Sequence, residues 1–457
     1  MGSAAGRRTV RQVLIVNAQA ITGEALSIRT EGDIILDVGP HVRTRTGEEV
    51  VDLAGGTVIP GLHDHHVHLR AVAAAGASVS VGPPEVADAE ALRRVLRATE
   101  PRQDGWIRAV GYHDSVAGEL DRRQLDDVIS TVPVRVQHRS GAMWILNSAG
   151  LAALGRSDHP TGRLFREDAE VAASTVHAPV DFAPVSARLS AYGVVGVTEA
   201  TPNLTADELD SFDAAVGDGR LRQRVLVLSH DTGHTHLGFG PIKRILDDDT
   251  LDLDDLTQWV ERNHRKGVAV AMHCVTVVQL VVAVAALRAA GSMVGDRIEH
   301  AAMVPEEMID DLVDLGVTVV TQPNFVAERG EQYLQDIPAA DLPQLWRLAS
   351  LLRAGVAVAA GTDAPFGDLD PWACMRAARD RLCASGAVLS VPERVSAHTA
   401  LRLFLGEPLA PAQARVLAPG ARADLTLLSE PSDVVLDELT AELVAGTVIG
   451  GVLYRNR

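Results

Sequence analysis

Residues 57–68 read TVIPGLHDHHVH, and this stretch decides how the rest of the chain is interpreted. The stretch begins with an apolar run that is interrupted by Pro60-Gly61, and it ends in His66-Val67-His68. Side chains alternate along a strand, so His66 and His68 point to the same side, where Asp64 also points. Two imidazoles on one side of a strand can bind one metal ion. The stretch therefore predicts a strand that ends in a metal-binding pair.

Apolar runs of strand length recur downstream and are rich in valine. The clearest are VLVLS (225–229), VAVAM (268–272), VTVVT (317–321) and VAVAA (356–360). They are continuous rather than alternating, which is typical of parallel strands that are buried on both faces. Helix-like stretches separate them, and several of these end in Gly. Repeated strand–helix units of this size predict a (β/α) barrel or a doubly wound sheet.

Polar residues that can bind a metal follow several of these strands. The stretch VAVAM is followed by His273, DRIE by His300, VTVVT by Gln322 and Asn324, and VAVAAGT by Asp363. In a barrel the active site lies at the carboxyl ends of the strands. Imidazole and carboxylate ligands without a Cys ligand favour a catalytic site that keeps one position open for water.

The composition excludes several classes of protein. The chain has 457 residues, of which 47% are hydrophobic, and this is enough for a large core. Its net charge of −18 argues against nucleic acid and anionic membranes as partners. Sixteen His stand beside only three Cys, so the chain is rich in metal ligands and lacks a disulfide framework. The low Cys content and the absence of a long apolar run predict a cytoplasmic protein.

The two ends of the chain resemble each other. Both contain short apolar runs with Gly at the turns, so residues 1–60 and 415–457 are predicted to form one small β-sandwich. Residues 61–414 are assigned to the strand–helix domain. A region around 70–165 fits the strand–helix repeat poorly and is predicted to be an insertion.

Five motifs together resemble the amidohydrolase superfamily, in the order seen there. They are PGLHDHHVHL (60–69), GFGPIKRIL (238–246), VAMHC (270–274), RIEHAAMV (297–304) and GTDAPFG (361–367). The inserted region, including GYHDSVAGELDRRQL and PTGRLFRED (160–168), resembles the branch that contains N-substituted formamide deformylases. The resemblance covers nearly the whole chain.

The resemblance implies a (β/α)8 TIM-like barrel with a β-sandwich built by both chain ends. It also implies one or two divalent metal ions, with zinc expected first and manganese, iron or cobalt as alternatives. The implied ligands are His66 and His68 for the buried ion, His273 and His300 for the outer ion, Lys243 and Asp363. Lys243 would be carboxylated and bridge the two ions, and Asp363 would also act as general acid/base.

The implied reaction is hydrolysis of a non-peptide amide C–N bond in a small molecule by metal-activated hydroxide. A deaminase, or a hydrolase of cyclic amides, carbamates or lactones, would use the same site, because the metal ligands do not select among these reactions. A non-catalytic homologue that acts as a binding module is the alternative of another class. The same resemblance leaves a homodimer open.

Other polar residues of the sequence are candidates for substrate contact or receive a structural interpretation. Candidate substrate contacts are Gln322, Asn324, Arg163, His138 and Tyr112. His63, at a position that is usually apolar in the family, and Cys274 receive no role. The second HxH pair, His234 and His236, lies in a Gly-rich stretch that predicts a loop. The acidic residues Asp247, Asp248, Asp249, Asp252, Asp254 and Asp255 are interpreted as charge near a helix N-terminus and a solvated face.

Overall fold

The structure is a computed structural model, and it describes residues 12–76, 78–83, 85–102, 104–165, 180–230 and 233–456. The chain divides into two compact units. One unit contains the residues up to His68 together with those from Ala183 onward. The other is the continuous segment Leu69–Phe182. The predicted insertion around 70–165 falls within this second unit.

The described strands, in chain order, are β1 Gln12–Gln19, β2 Ala25–Glu31, β3 Ile34–Gly39, β4 Glu49–Asp52, β5 Thr57–Pro60, β6 Leu62–Val67, β7 Val79–Ser80, β8 Ile107–Tyr112, β9 Val134–His138, β10 Met143–Leu146, β11 Arg163–Phe165, β12 Val194–Glu199, β13 Arg224–Val227, β14 Gly238–Phe239, β15 Ile242–Ile245, β16 Val270–Cys274, β17 Arg297–His300, β18 Thr318–Thr321, β19 Ala357–Ala360, β20 Gly406–Glu407, β21 Ala410–Ala414, β22 Leu425–Leu428, β23 Val444–Ile449 and β24 Val452–Arg455.

The described α-helices are α1 Leu69–Gly76, α2 Ala89–Ala98, α3 Asp114–Ala117, α4 Arg122–Asp126, α5 Ser148–Ala153, α6 Ala183–Ala191, α7 Ala206–Gly217, α8 Leu253–His264, α9 Val277–Ala290, α10 Ile309–Leu315, α11 Asn324–Asp336, α12 Ala349–Ala354, α13 Pro371–Asp380, α14 Ala397–Arg402 and α15 Ser432–Glu438. Short 3-10 helices cover Asp248–Thr250, Glu306–Met308, Leu342–Gln344, Val391–Glu393 and Ala441–Leu443.

The two chain ends meet in one sheet of eight strands. Its order is β24-β23-β22-β5-β1-β2-β3, with β4 pairing to β1. The ends join where β22 runs antiparallel to β5, with Leu425 opposite Pro60. Ile15, Ile28 and Leu425 belong to one buried apolar cluster on this sheet. The N-terminal and C-terminal strands thus pair within one sheet.

The strands that carry the polar residues are parallel and lie in two sheets, with orders β14-β13-β12-β6 and β15-β16-β17-β18-β19. The four valine-rich runs predicted as strands correspond to β13, β16, β18 and β19, with ends shifted by at most two residues. The amide of Lys243 in β15 donates to Leu228 O after β13 over 3.3 Å. At the other edge, the amide of Asp363 donates to His66 O over 2.8 Å.

The second unit, Leu69–Phe182, has its own sheet and its own core. The sheet has the order β11-β10-β9-β8-β7, in which β10 pairs antiparallel to its neighbours and β7, β8 and β9 run parallel. A buried apolar cluster formed by α2, β8 and β9 includes Leu92, Ile107 and Val136. Residues 166–168 of the family-like segment lie outside the described residues.

None of the described helices is both long enough and apolar enough to cross a membrane.

Candidate metal centre

Three side chains converge where β6 ends beside the loop after β19. His66, His68 and Asp363 offer donor atoms that all lie within 4.8 Å of one another. Asp363 Oδ1 lies 3.2 Å from His68 Nε2 and 3.6 Å from His66 Nε2. His66 and Asp363 are buried, and His68 is partly buried. The predicted HxH pair and the predicted Asp thus form one donor cluster.

The local sequence explains why these chain segments approach so closely. A Cβ atom on Gly361 would lie 2.4 Å from the His66 backbone nitrogen, so only Gly fits where β19 passes β6. Asp363 then turns into the cluster with a φ of 55°, and His300 also has a positive φ, of 70°. Residues other than Gly rarely adopt this left-handed conformation, and such strain is concentrated at functional sites.

The other predicted ligands adjoin the same cluster. Lys243 Nζ lies 3.1 Å from His66 Nε2, and the Lys243 side chain is buried, which lowers the pKa of its ammonium group. The ring centroid of His300 lies 4.8 Å from that of His66 and 4.4 Å from that of His273. All six predicted ligand positions therefore form one continuous group of side chains.

A second layer of polar groups orients the imidazoles. His66 Nδ1 lies 2.5 Å from Glu299 Oε2, and both side chains are fully buried. Arg297 Nε donates to the other Glu299 oxygen over 2.7 Å. His68 Nδ1 lies 2.8 Å from the Thr201 hydroxyl. Metal-binding His residues typically donate their second ring N–H to such partners, which directs the other nitrogen to the metal.

The residues present fit a divalent cation. Asp363 Oδ1 is buried and makes no hydrogen bond among the described residues, although two imidazole nitrogens face it. Burial lowers the pKa of His66 well below its usual value, so the imidazole is neutral, the form that binds metals. An unbonded carboxylate oxygen beside two Nε2 atoms would be costly to bury without a cation. Imidazole and carboxylate donors suit Zn²⁺ and related ions.

Comparison with known proteins adds independent evidence. Residues 49–454 match the model of a family described as the amidohydrolase family. The chain belongs to the amidohydrolase family. As a member of this family, it is an amidohydrolase, a hydrolase that acts on carbon–nitrogen bonds other than peptide bonds. The resemblance inferred from the five motifs is confirmed.

Individual relatives cover nearly the full length of the chain. N-substituted formamide deformylase from Arthrobacter pascens is 25% identical over 98% of this chain and 99% of its own length. An uncharacterised metal-dependent hydrolase from Pyrococcus horikoshii has a TM-score of 0.76 at 18% identity, covering 93% of this chain and 99% of that one. A mutant atrazine chlorohydrolase from Arthrobacter aurescens, complexed with zinc and atraton, has a TM-score of 0.57 at 15% identity, covering 96% and 94%. The two solved structures support the fold.

Gln322 and Asn324 of the amidohydrolase lie beside the ligands and are buried. The Gln322 amide oxygen accepts from His300 Nδ1 over 2.7 Å, so this side chain orients a predicted ligand. The Asn324 amide donates to Thr362 O over 3.0 Å and to Glu328 over 3.1 Å. Both amides bind protein groups, and their predicted contact with substrate stays a prediction.

Tyr112, His138 and Arg163 of the amidohydrolase lie in the second unit. The Tyr112 hydroxyl donates to Gly118 O over 2.6 Å, and burial raises its pKa to about 12. His138 Nδ1 contacts the Ser140 hydroxyl, whereas its buried Nε2 has no hydrogen-bond partner among the described residues. Arg163 donates to Leu120 O over 3.1 Å. Substrate contact by these residues also stays a prediction.

The remaining polar residues of β6 are also buried. His63 Nε2 lies 3.0 Å from the Thr198 hydroxyl, and its ring packs 4.6 Å from that of His65. Asp64, predicted to point to the same side as His66 and His68, accepts hydrogen bonds from the Thr362 amide and hydroxyl and from the His66 amide. It therefore braces the loop that carries Asp363.

The second HxH pair lies next to α7. His234 Nε2 is 3.1 Å from an Asp210 carboxylate oxygen, and the His236 amide donates to Asp213. Neither belongs to the metal-donor cluster found among the described residues. Cys274 is buried beside His273, and burial raises the pKa of its thiol above its usual range. The structure gives this thiol no chemical role.

Proposed function

We propose that this amidohydrolase hydrolyses the amide C–N bond of a small N-substituted amide, with N-substituted formamides as the first class to test. The observation that carries the proposal is the convergence of His66, His68 and Asp363, with one buried carboxylate oxygen that has no hydrogen-bond partner in the described part of the chain. The full-length similarity to an N-substituted formamide deformylase supports the choice of substrate class.

In this proposal His66, His68 and Asp363 hold one divalent ion, with zinc expected, and His273 and His300 provide ligands for a second. When bound, such ions acidify water and polarise a carbonyl oxygen. Glu299 keeps His66 in the tautomer whose Nδ1 is protonated, because its carboxylate lies 2.5 Å from that nitrogen. The Nε2 lone pair of His66 is therefore available as a ligand.

Asp363 acts as the general acid/base in the proposed reaction. Its carboxylate takes a proton from water as the water oxygen bonds to the carbonyl carbon. The same proton then passes to the leaving nitrogen as the C–N bond breaks, so the products are a carboxylic acid and an amine. The positive φ of Asp363 aims the carboxylate at the cluster before substrate arrives, which supports this role.

Lys243 is proposed to carry a carboxyl group on Nζ. A Lys ammonium 3.1 Å from a metal-binding nitrogen would repel a cation, whereas a carbamate formed from the amine and carbon dioxide would present two anionic oxygens. Mass spectrometry does not preserve this labile group reliably, so the test is carbon-13 NMR of enzyme exchanged with labelled bicarbonate. Loss of the labelled signal in Lys243→Met is expected, and a signal that survives in this variant would refute the assignment.

A substrate panel tests the function. Purified enzyme loaded with zinc is assayed on N-substituted formamides, acetamides, cyclic amides, carbamates, lactones and aminated heterocycles, with Asp363→Asn as the inactive control. Release of formate and amine from the first class supports the proposal. Preference for a cyclic amide, carbamate or lactone, or for ammonia release, assigns the alternative reaction on the same site. A purified protein that contains no metal and hydrolyses no compound of the panel would instead support a non-catalytic homologue that acts as a binding module.

The architecture that supports this chemistry is proposed to be a closed (β/α)8 barrel with a small β-sandwich from both chain ends. The eight strands β6, β12, β13, β15, β16, β17, β18 and β19 support the proposal, since the two sheets are linked by backbone hydrogen bonds at both edges. The carboxyl end of such a barrel is the usual place for an active site.

A further inference from the structure

The two ion positions of the proposed metal centre differ in the donors that the chain supplies. We call the position of His66, His68 and Asp363 the inner position and that of His273 and His300 the outer position. The three donor atoms of the inner position lie within 4.8 Å of one another. The outer position has two imidazoles, with ring centroids 4.4 Å apart, and His273 is only partly buried. A carbamate shared by both positions would add one donor to each, so the inner position keeps the larger donor set.

The imidazoles of the two positions also have partners of different charge. At the inner position, His66 Nδ1 lies 2.5 Å from the Glu299 carboxylate. At the outer position, His300 Nδ1 lies 2.7 Å from the amide oxygen of Gln322. Both partners are fully buried. An ionised acceptor forms the stronger hydrogen bond and makes the imidazole a more basic metal ligand, whereas a neutral amide does so to a smaller degree. His66 is therefore expected to bind its ion more strongly than His300.

The Gln322 amide is held in one orientation. Its Nε2 donates over 3.4 Å to Val320 O, in the strand β18 that precedes it. An NH2 group only donates and a backbone carbonyl only accepts, so the amide oxygen faces His300. His300 Nδ1 then carries the proton, and the Nε2 lone pair is available to a metal ion. Gln322 thus fixes the tautomer of His300 without adding a charge.

The difference between Gln and Glu at this position is electrostatic. The two side chains have nearly the same shape, and β17 and β18 pair as parallel strands that bring Gln322 beside His300. A carboxylate there would have one oxygen on His300 Nδ1, as Glu299 has on His66 Nδ1. A bound cation nearby would keep such a carboxylate ionised. The chain thus has an uncharged partner where a charged one of the same shape fits.

We propose that Gln322 gives the outer position a lower affinity for its ion than the inner position has. The inference rests on the two-ion form of the proposed function. A partner of this kind changes metal affinity by about 10- to 100-fold, so the amide and the smaller donor set together should separate the two affinities by at least about tenfold. The inner ion then binds first and stays bound, and the outer ion exchanges with ions in solution. Gln322 is a positioning residue, because it acts on the ion through His300.

Zinc binding at controlled concentrations of free zinc tests the proposal. Loaded enzyme is equilibrated over several decades of buffered free zinc with bicarbonate present, and the zinc bound per chain is measured by elemental analysis. The parent should lose its two ions in two separate steps. Gln322→Glu should strengthen the weaker step by about 10- to 100-fold, and Gln322→Met, which lacks an acceptor, should weaken it. Neither variant should move the tighter step, which Glu299→Gln should move instead.

Gln223→Glu and Gln223→Met are the matched controls. Gln223 is equally buried, and its Nε2 donates to Ser186 O over 3.1 Å and to Val194 O over 3.2 Å, so both controls should lose stability and keep both zinc steps. A parent that binds one ion, or two ions of equal affinity, would overturn the proposal, as would unchanged zinc steps in both Gln322 variants. The expected zinc steps without hydrolysis of any compound of the substrate panel would refute the proposed function and support this inference.

Discussion

Replacement of Glu299 by Gln isolates the effect of a buried carboxylate on the proposed metal centre. Glu299 Oε2 lies 2.5 Å from His66 Nδ1, and Arg297 donates to both Glu299 oxygens, over 2.7 and 3.2 Å. A Gln side chain has nearly the same shape. It offers only one acceptor oxygen and no charge, so it cannot serve both His66 and Arg297.

The magnitude follows from these contacts. Loss of an outer partner of a metal-binding His typically lowers metal affinity by about 10- to 100-fold, which is about 1.4–2.7 kcal/mol. A lost charge-assisted hydrogen bond in a buried site also costs about 1.5–3 kcal/mol of folding stability. We therefore expect Glu299→Gln to fold with a lower melting temperature and to bind zinc about 10- to 100-fold more weakly than the parent.

Competition with a chromophoric chelator measures the zinc affinity, and differential scanning calorimetry measures the stability. Glu393→Gln is the matched control. Glu393 is also buried and accepts from the Leu348 amide over 2.8 Å and the Ser350 hydroxyl over 2.6 Å. This control should lose stability but keep its zinc affinity. If Glu299→Gln binds zinc as tightly as the parent, the proposed role of Glu299 is refuted. If Glu299→Gln and Glu393→Gln lose the same zinc affinity, the loss is a general effect of lower stability and not of the contact with His66.

Three further predictions follow from the same geometry. Asp363→Asn should lower kcat by about 10²- to 10⁴-fold in a steady-state assay without unfolding the protein, and substantial remaining activity would exclude Asp363 as the acid/base. Gly361→Ala should lower the zinc content measured by elemental analysis, because its Cβ would lie 2.4 Å from the His66 amide nitrogen. The control Gly39→Ala, which has open space around the added Cβ, should keep the parental zinc content. Burial raises the pKa of Tyr112 from 10.0 to about 12, so the stability that its protonated hydroxyl contributes should be lost as the pH rises from about 10 to 12. Urea titrations of the parent and of Tyr112→Phe over this pH range should show a smaller fall in the free energy of unfolding for the variant. An equal fall in both proteins would contradict the prediction.

Much of the metal centre was predictable because strand ends carry their own signal. The ends of β6, β16, β17 and the segment after β19 each bear a potential ligand, and buried parallel strands are recognised by continuous valine-rich runs. The strand alternation that pairs His66 with His68 is equally local. These features depend on a few neighbouring residues, so no knowledge of the strand order is needed to find them.

The supporting polar groups depend on contacts between distant strands, which the sequence does not reveal. Asp64 was predicted only to point to the same side as His66 and His68, and its hydrogen bonds from the Thr362 amide and hydroxyl were not foreseen. Glu299 was overlooked, although a buried strand with Arg and Glu two residues apart is unusual and could have signalled a buried ion pair. Gln322 was predicted to contact substrate, and its hydrogen bond to His300, a contact between neighbouring strands, was not foreseen.

The proposed metal centre lies where the chain after β19 passes next to β6. Gly361 allows the two chain segments to touch, the Asp363 amide binds His66 O, and Asp64 binds the Thr362 amide and hydroxyl from the opposite direction. These contacts fix the Asp363 backbone without any contribution from the Asp363 carboxylate. The carboxylate is therefore free to face the two imidazoles. Backbone contacts thus hold the loop in its left-handed conformation, and the side chain remains available for chemistry.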